Sequence, residues 1–461
     1  MADPGGAPLS FGQEVLWFLD RASPGLAVYN APRAVRLTGS LDAAALGRAL
    51  TALVERQQAI RTAFVPGPGG APVQEVRSAR PVALRVLDLS ALAVPEREPA
   101  LAARIRDLAL QPFDLGSGLL LRATLFRLSA EEQVLFLLSH HIVSDGWSRG
   151  IIFRELAALY TAEVAGTAAD LPPLPIQAVD HARRERSRLA GAELTRLLDH
   201  WRAVLAGAPT ALDLPTDFPR TGIPGFEGGV ASLELSGELT ASLHALARET
   251  SASLPTVLLA GLAAVLHRHT GQDDLTIGLP VAAREDPDIE GLVGFFANTL
   301  PIRIRLGGQP EFAELVTRTR DACLEAYEYA DVPLEPLAQA LHEDGRPSHA
   351  PLYQALFVHE RDDGALAPMG PVRVTPVPLD VEAALADVTL IAREGATGVR
   401  LTLQYRRALF TAETAGRLLA HVVLVLCAAA ERRRGPVGAL PLVTAVEREA
   451  LTAAEPWRVT A

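Results

Sequence analysis

The apolar run Val134-Leu135-Phe136-Leu137-Leu138 has the length and the polar flanks of a buried strand. Beyond it the period changes. Ile151-Ile152-Phe153, Leu156, Leu159 and Tyr160 recur at helical spacing, so a strand gives way to a helix across the stretch between. Near the start of the chain, Ser10 and Gln13 have capping-box spacing, and Phe11, Val15, Leu16 and Leu19 fall on one stripe. A second helix is predicted from Asp42, with Leu46, Leu50, Leu53 and Val54 apolar, and strands at Val35-Leu37, Gln74-Val76, Val82-Val86 and Leu119-Phe126. Helices and strands mix without strict alternation. That pattern predicts an α/β fold of mixed α+β layers in preference to a doubly wound sheet.

Two segments rich in Pro and Gly divide the chain: Leu171-Pro172-Pro173-Leu174-Pro175, and the longer stretch from Gly207-Ala208-Pro209 to Gly228-Gly229, which should hold no regular element. Taking the earlier one as the boundary gives an N-terminal lobe, 1–175, and a C-terminal lobe, 176–461. Leu235-Ser236-Gly237-Glu238-Leu239 and the helix after it echo Leu37-Thr38-Gly39-Ser40-Leu41 and its helix. Pro255 to Leu266 is almost wholly apolar and predicts a central helix, followed by a buried strand at Leu275-Leu279.

Composition narrows the chemistry. With 461 residues, half of them apolar, the chain can bury two cores. It contains no lysine, which excludes a P-loop, a pyridoxal-phosphate Schiff base, a biotinyl or lipoyl attachment site and a kinase nucleotide site. A net charge of -11 argues against a nucleic-acid partner. The basic runs Arg183-Arg184-Glu185-Arg186 and Arg432-Arg433-Arg434 read as solvated helix faces or ends. Charge interrupts the longest apolar stretches and no secretory signal is evident, so a cytoplasmic location, no membrane association and two reduced cysteines, Cys323 and Cys427, are expected.

The candidate chemistry lies at the strand-to-helix junction, His140-His141-Ile142-Val143-Ser144-Asp145-Gly146-Trp147-Ser148. Successive strand residues point to opposite faces, so one histidine faces a substrate and the other supports the loop. A metal site would need a third ligand that no nearby cluster offers, and none is expected. Gly146-Trp147-Ser148-Arg149-Gly150 also spells a Gly-x-Ser-x-Gly nucleophile elbow, which would make Ser148 the nucleophile of a serine hydrolase. Against that reading, the stretch from Ser139 to Asp145 separates the apolar run from Gly146, whereas an elbow sits directly off its strand.

His140 to Gly146 match the His-His-x-x-x-Asp-Gly motif, and with it the chain resembles a condensation domain of nonribosomal peptide synthetases, either a free-standing condensation enzyme or a domain of a synthetase. The likeness extends through Leu9 to Leu19, Val54 to Phe64, Gly278 to Arg284, Gly294 to Thr299, Asp331 to Glu335 and Ser348 to Leu352. It implies two chloramphenicol acetyltransferase-like lobes in a V, with an active-site tunnel between them. It also implies an acyltransferase that moves a thioester-bound acyl group from a donor carrier protein to an amine or hydroxyl on an acceptor carrier or a free small molecule. Substrates would ride on phosphopantetheine arms, with no cofactor bound to the chain itself. Under the resemblance His141 serves the reaction, Gly146 keeps the tunnel open beside it, and Asp145 pairs with Arg284. His140, Trp147 and Ser148 support the motif, and Asn298 and Ser348 are second-lobe tunnel candidates. Departures are Gln57 and Gln58 in place of His-Glu, Ala178 and Arg184 in place of aromatics, and Tyr329-Ala330 in place of His-Gln. Two readings of other classes remain beside this one: a catalytically silent docking module that recruits partner enzymes, and an acyltransferase using coenzyme A.

Overall fold

The computed structural model describes residues 6–220, 225–343, 352–361, 366–379, 383–431, 435–444 and 447–449. Two large sheets organise them. The first has five strands in the order Arg373–Val377, Asn30–Thr38, Glu132–His140, Leu121–Arg127 and Leu84–Asp88. Its pairs are antiparallel except the last, in which Leu84 lies opposite Ala123 in parallel. The second has six strands in the order Asn298–Arg305, Asp274–Val281, Ala355–Arg361, Val388–Gly395, Gly398–Arg406 and Gly228–Leu235.

The predicted buried strand is Glu132–His140, and the two faces of the sheet explain its unbroken apolar run. Leu135 and Leu137 pack with Leu46, Leu50, Leu53, Leu156 and Tyr160 from helices Ala43–Arg56 and Gly146–Ala165. Val134, Phe136 and Leu138 point the other way, into Trp17, Leu101, Ile105 and Phe113, which include residues of helices Phe11–Ala22 and Val94–Ala109. A strand covered on both faces has no position at which water rewards a polar side chain.

Local signals resolve as the chain predicts. Ser10 Oγ accepts from the Gln13 amide at 3.2 Å while Gln13 Oε1 accepts from the Ser10 amide at 3.0 Å. Asp42 caps its helix through Ala44 and Ala45. The echoed segments are both strand-to-helix turns, with Thr38 and Leu235 closing strands and Asp42 and Ser236 capping the helices that follow. Helix Leu254–Thr270 is buried from Leu254 to Leu266 except at Pro255.

Several expectations need correction. The Pro and Gly stretch after Gly207 ends inside a regular element, because strand Gly228–Leu235 begins at its last two glycines. A Cβ on Gly229 would lie 2.3 Å from the Tyr405 ring, so only glycine lets these strands approach. The run Arg183 to Arg186 is a solvated face only in part: Arg183 and Arg184 are exposed, whereas Glu185 and Arg186 are half-buried. Arg184 reaches Asp288 at 2.9 Å, Arg186 pairs with Glu14 and lies over the Phe11 ring, and Glu185 accepts from the Phe11 amide. Helix Ala412–Glu431 is long and apolar enough to cross a membrane by composition alone, yet it packs on strand Gly228–Leu235 and helix Leu254–Thr270 as a core helix.

The two lobes also interleave across residue 175. Strand Arg373–Val377 lies on the edge of the first sheet, and Met369, Val372 and Val293 enter the first-lobe core. Arg432 to Arg434 lie outside the described residues.

Candidate functional site

His140 ends its strand opposite Asn30, on the face that carries Phe136 and Leu138. Its ring sits 6.2 Å from Phe113 and 6.4 Å from Tyr29, and Nδ1 accepts from the Ile142 amide at 3.1 Å. Burial, with the neighbouring His141 adding to it, pushes this imidazole down to about 3. Neutral and enclosed, His140 caps the short 3-10 turn His141–Val143 that turns the chain out of the sheet.

His141 lies on the other side of that turn, half-buried, its ring 6.5 Å from Phe295 of the second lobe. Nδ1 stands 3.0 Å from the Ser144 carbonyl oxygen. A carbonyl can only accept, so Nδ1 carries the proton and Nε2 is left with its lone pair. Burial lowers this imidazole to about 4; the Arg33 charge pushes the same way, while the Ser144 bond and Asp145 oppose. Behind the turn is a cavity of about 10 Å³, room for one water, lined by Arg33, Ser139, Ser144 and Arg149 among others.

Asp145 caps helix Gly146–Ala165 and is itself the centre of a buried network. Oδ1 accepts from the Ser148 amide at 2.8 Å, the Ser148 hydroxyl at 2.7 Å and Arg284 Nη2 at 3.1 Å. Oδ2 accepts from Arg284 Nη2 at 3.2 Å and the Phe296 amide at 3.1 Å. Arg284 spends Nη1 on the carbonyls of Ile289, 2.7 Å, and Leu292, 2.8 Å, and its guanidinium lies over the Phe296 ring. The Asp145–Arg284 pairing expected from the resemblance therefore exists, and it joins the two lobes.

Ser148 is fully buried on the third position of the helix. Its oxygen accepts from the Gly294 amide at 3.1 Å and from Arg284 at 3.1 Å, and its single proton is shared between Asp145 and the Gly294 carbonyl. No histidine bonds to it among the described residues, and the helix runs straight on through Gly150. The nucleophile elbow is thus a chance spelling. Trp147, half exposed, donates its indole N–H to the Glu290 carbonyl at 3.1 Å. Gly146 is exposed, and a Cβ built there meets no atom within 4 Å, so the space in front of it is open.

Asn298 does not present its amide to a cavity. Nδ2 donates to the carbonyls of Ala330, 2.8 Å, and Val332, 2.6 Å, which pins the loop after helix Phe312–Glu328 to the start of strand Asn298–Arg305. Ser348 lies outside the described residues. Sequence reasoning misses Arg33 and Phe295 as neighbours of His141. Phe295 lies within the family-like stretch from Gly294 to Thr299 but carries no role there, and Arg33 gives no signal, because its place follows from strand pairing.

The family model of the Condensation domain matches residues 5–452. The chain belongs to the condensation domain family. This condensation domain is 40% identical over 447 residues to one of the proteins of linear gramicidin synthase of Brevibacillus parabrevis, covering 96% of the chain and 9% of that protein. It is also 40% identical over 459 residues to phosphinothricin tripeptide synthetase PhsB of Streptomyces viridochromogenes, covering 99% of the chain and 38% of that protein. The chain thus spans well under half the length of these relatives. Among solved structures, the X-domain from teicoplanin biosynthesis superposes with a TM-score of 0.86 at 32% identity over 96% of the chain and 99% of that domain. The first condensation domain of the calcium-dependent antibiotic synthetase, with a substrate analogue, gives 0.82 at 22% identity over 95% and 99%, a likeness of fold. The condensation domain's mixed layers are those expected from its sequence.

Proposed function

We propose that this condensation domain transfers a carrier-bound aminoacyl or acyl group from its thioester to an amine or hydroxyl acceptor, forming an amide or an ester. The observation that carries the proposal is the His141 tautomer. Its Nδ1–H is committed to the Ser144 carbonyl, and the ring stays neutral, so Nε2 is a fixed hydrogen-bond acceptor at the junction of the lobes. A base held this low is a poor proton sink at neutral pH but a good orienting acceptor. The N–H or O–H of the acceptor would bond to Nε2, which aims the nucleophile's lone pair at the thioester carbonyl. The new C–N or C–O bond forms, the C–S bond breaks, and the acceptor's proton ends on the departing thiolate. The exposed Gly146 leaves room for the reacting carbonyl beside the first turn of its helix, whose amides have no partners within the helix.

Donor and acceptor would arrive on phosphopantetheine arms of carrier proteins, or the acceptor as a free small molecule. The synthetase relatives support this reading, as peptide assembly requires such a step. Likeness to the teicoplanin X-domain, which is also known in complex with OxyB, favours a second one: a docking module that recruits an enzyme partner. Intact-mass analysis of transfer from an aminoacyl carrier protein to amine and hydroxyl acceptors separates them. Product that disappears in His141→Ala supports transfer. Stable binding of a partner enzyme, with no transfer to any acceptor, supports docking.

A further inference from the structure

Gln57, one of the departures from the family's second motif, is wholly buried where the two lobes meet. Each of its amide hydrogens and its oxygen has a partner. Nε2 donates to Glu155 Oε2 at 3.0 Å and to the Gly291 carbonyl at 3.1 Å, while Oε1 accepts from the Val293 amide at 2.9 Å. The carboxylate and the carbonyl can only accept and the amide can only donate, so the orientation of the side chain is settled by its partners. The histidine usual at this position of the motif cannot do the same. A neutral imidazole offers only one donor and one acceptor.

The partners connect Gln57 to the site from two directions. Glu155 is on the helix that begins at Gly146, and it is also held by Arg56 at 2.9 Å. Gly291 and Val293 belong to the second-lobe segment 289–296, which Arg284 gathers through Ile289 and Leu292. Ser148 and Asp145 hold it through Gly294 and Phe296. Those contacts all come from one side, the motif helix and its arginine. Gln57 adds a second polar hold from the first lobe, at the end of helix Ala43–Arg56, to the apolar packing of Ile289, Leu292, Val293 and Phe296 in the first-lobe cores. The segment so fixed carries Phe295, the second-lobe ring beside His141.

We propose that Gln57 is a positioning residue for the transfer reaction, a neutral clip between the lobes that sets segment 289–296 and thereby holds Phe295 against His141. The role in transfer rests on the function proposed above; the mechanical part does not. Its test therefore uses two readouts on the whole chain. Gln57→Met keeps the side-chain length and removes every hydrogen bond, and Gln57→His keeps one donor and one acceptor. Hydrogen exchange should quicken on the order of tenfold for the amides of 289–296 in Gln57→Met, and less in Gln57→His, with strands Glu132–His140 and Asp274–Val281 unchanged. In the carrier-protein assay, kcat should fall on the order of tenfold with KM for the carrier little altered, the signature of lost alignment and not of lost binding.

Unchanged exchange in 289–296 would overturn the clip, as would a general quickening that includes both strands. Quickened exchange with unaltered kcat would overturn the role in transfer. Should the wild-type chain transfer nothing, the proposed function fails while the exchange measurement still decides whether Gln57 holds the segment.

Discussion

Asp145 of the first lobe and Arg284 of the second meet at 3.1 and 3.2 Å with both side chains all but removed from solvent. A buried pair of this kind is costly to break from one side, because the survivor keeps its charge and loses its partner. Arg284→Ala or Asp145→Ala should each lower stability by about 3–5 kcal/mol. The denaturation midpoint reports it. The double variant should cost less than the sum of the two single ones, since the residues share one network.

Ser148→Ala separates structure from chemistry. Loss of the hydroxyl leaves the Gly294 amide and carbonyl short of a partner, at about 1–3 kcal/mol. Transfer should persist in the folded fraction at the assay temperature. Complete loss of turnover in a well-folded Ser148→Ala protein would contradict the placement of this serine.

Gly146→Ala tests the open space beside His141. Alanine is the better helix former by about 1 kcal/mol in helix interiors, and at this exposed first turn its Cβ touches nothing, so thermal stability should hold or rise. A fall in kcat/KM with unimpaired stability would mark the space as one the substrate occupies.

The pH dependence of stability has a definite sign. His140, His141 and His181 sit at about 3, about 4 and about 4, each lowered chiefly by burial, against about 6.5 in the unfolded chain. Between about pH 6.5 and 4 the unfolded state binds more protons, so stability falls as the pH drops through that window, and above it these three groups contribute no slope. Denaturation midpoints at pH 5 and pH 7 should show the difference. With a hydroxyl acceptor, turnover corrected for folding should be close to flat from about pH 7 to about pH 5, because His141 stays neutral there.

What the chain reveals by itself is what is local. The histidine strand, its turn and the following helix are contiguous, so period and capping expose them, and Asp145 is visible as the start of a helix. The partners of Asp145 are not. Arg284 and Phe296 are brought to it by the fold, and only the family resemblance anticipates Arg284. Asn298 is misread for the same reason: the carbonyls of Ala330 and Val332 that occupy its amide lie beyond a whole helix. Arg186 looks solvated because a charge run carries no mark of Glu14 waiting across the lobes. Strand Arg373–Val377 escapes notice because, as an edge strand, it tolerates Pro376 and needs little apolar patterning.

That edge strand bears on how such a domain can be recombined. A crossover placed in the proline-rich stretch at 171–175 would pair strand Asn30–Thr38 of one parent with the 373–377 edge strand of the other. It would also unite an Asp145, a Ser148 and a Gln57 from one parent with a 289–296 segment from another. Chimeras that change partners should therefore exchange the region from strand 30–38 through strand 373–377 as a single block, or match the residues on both sides of the seam.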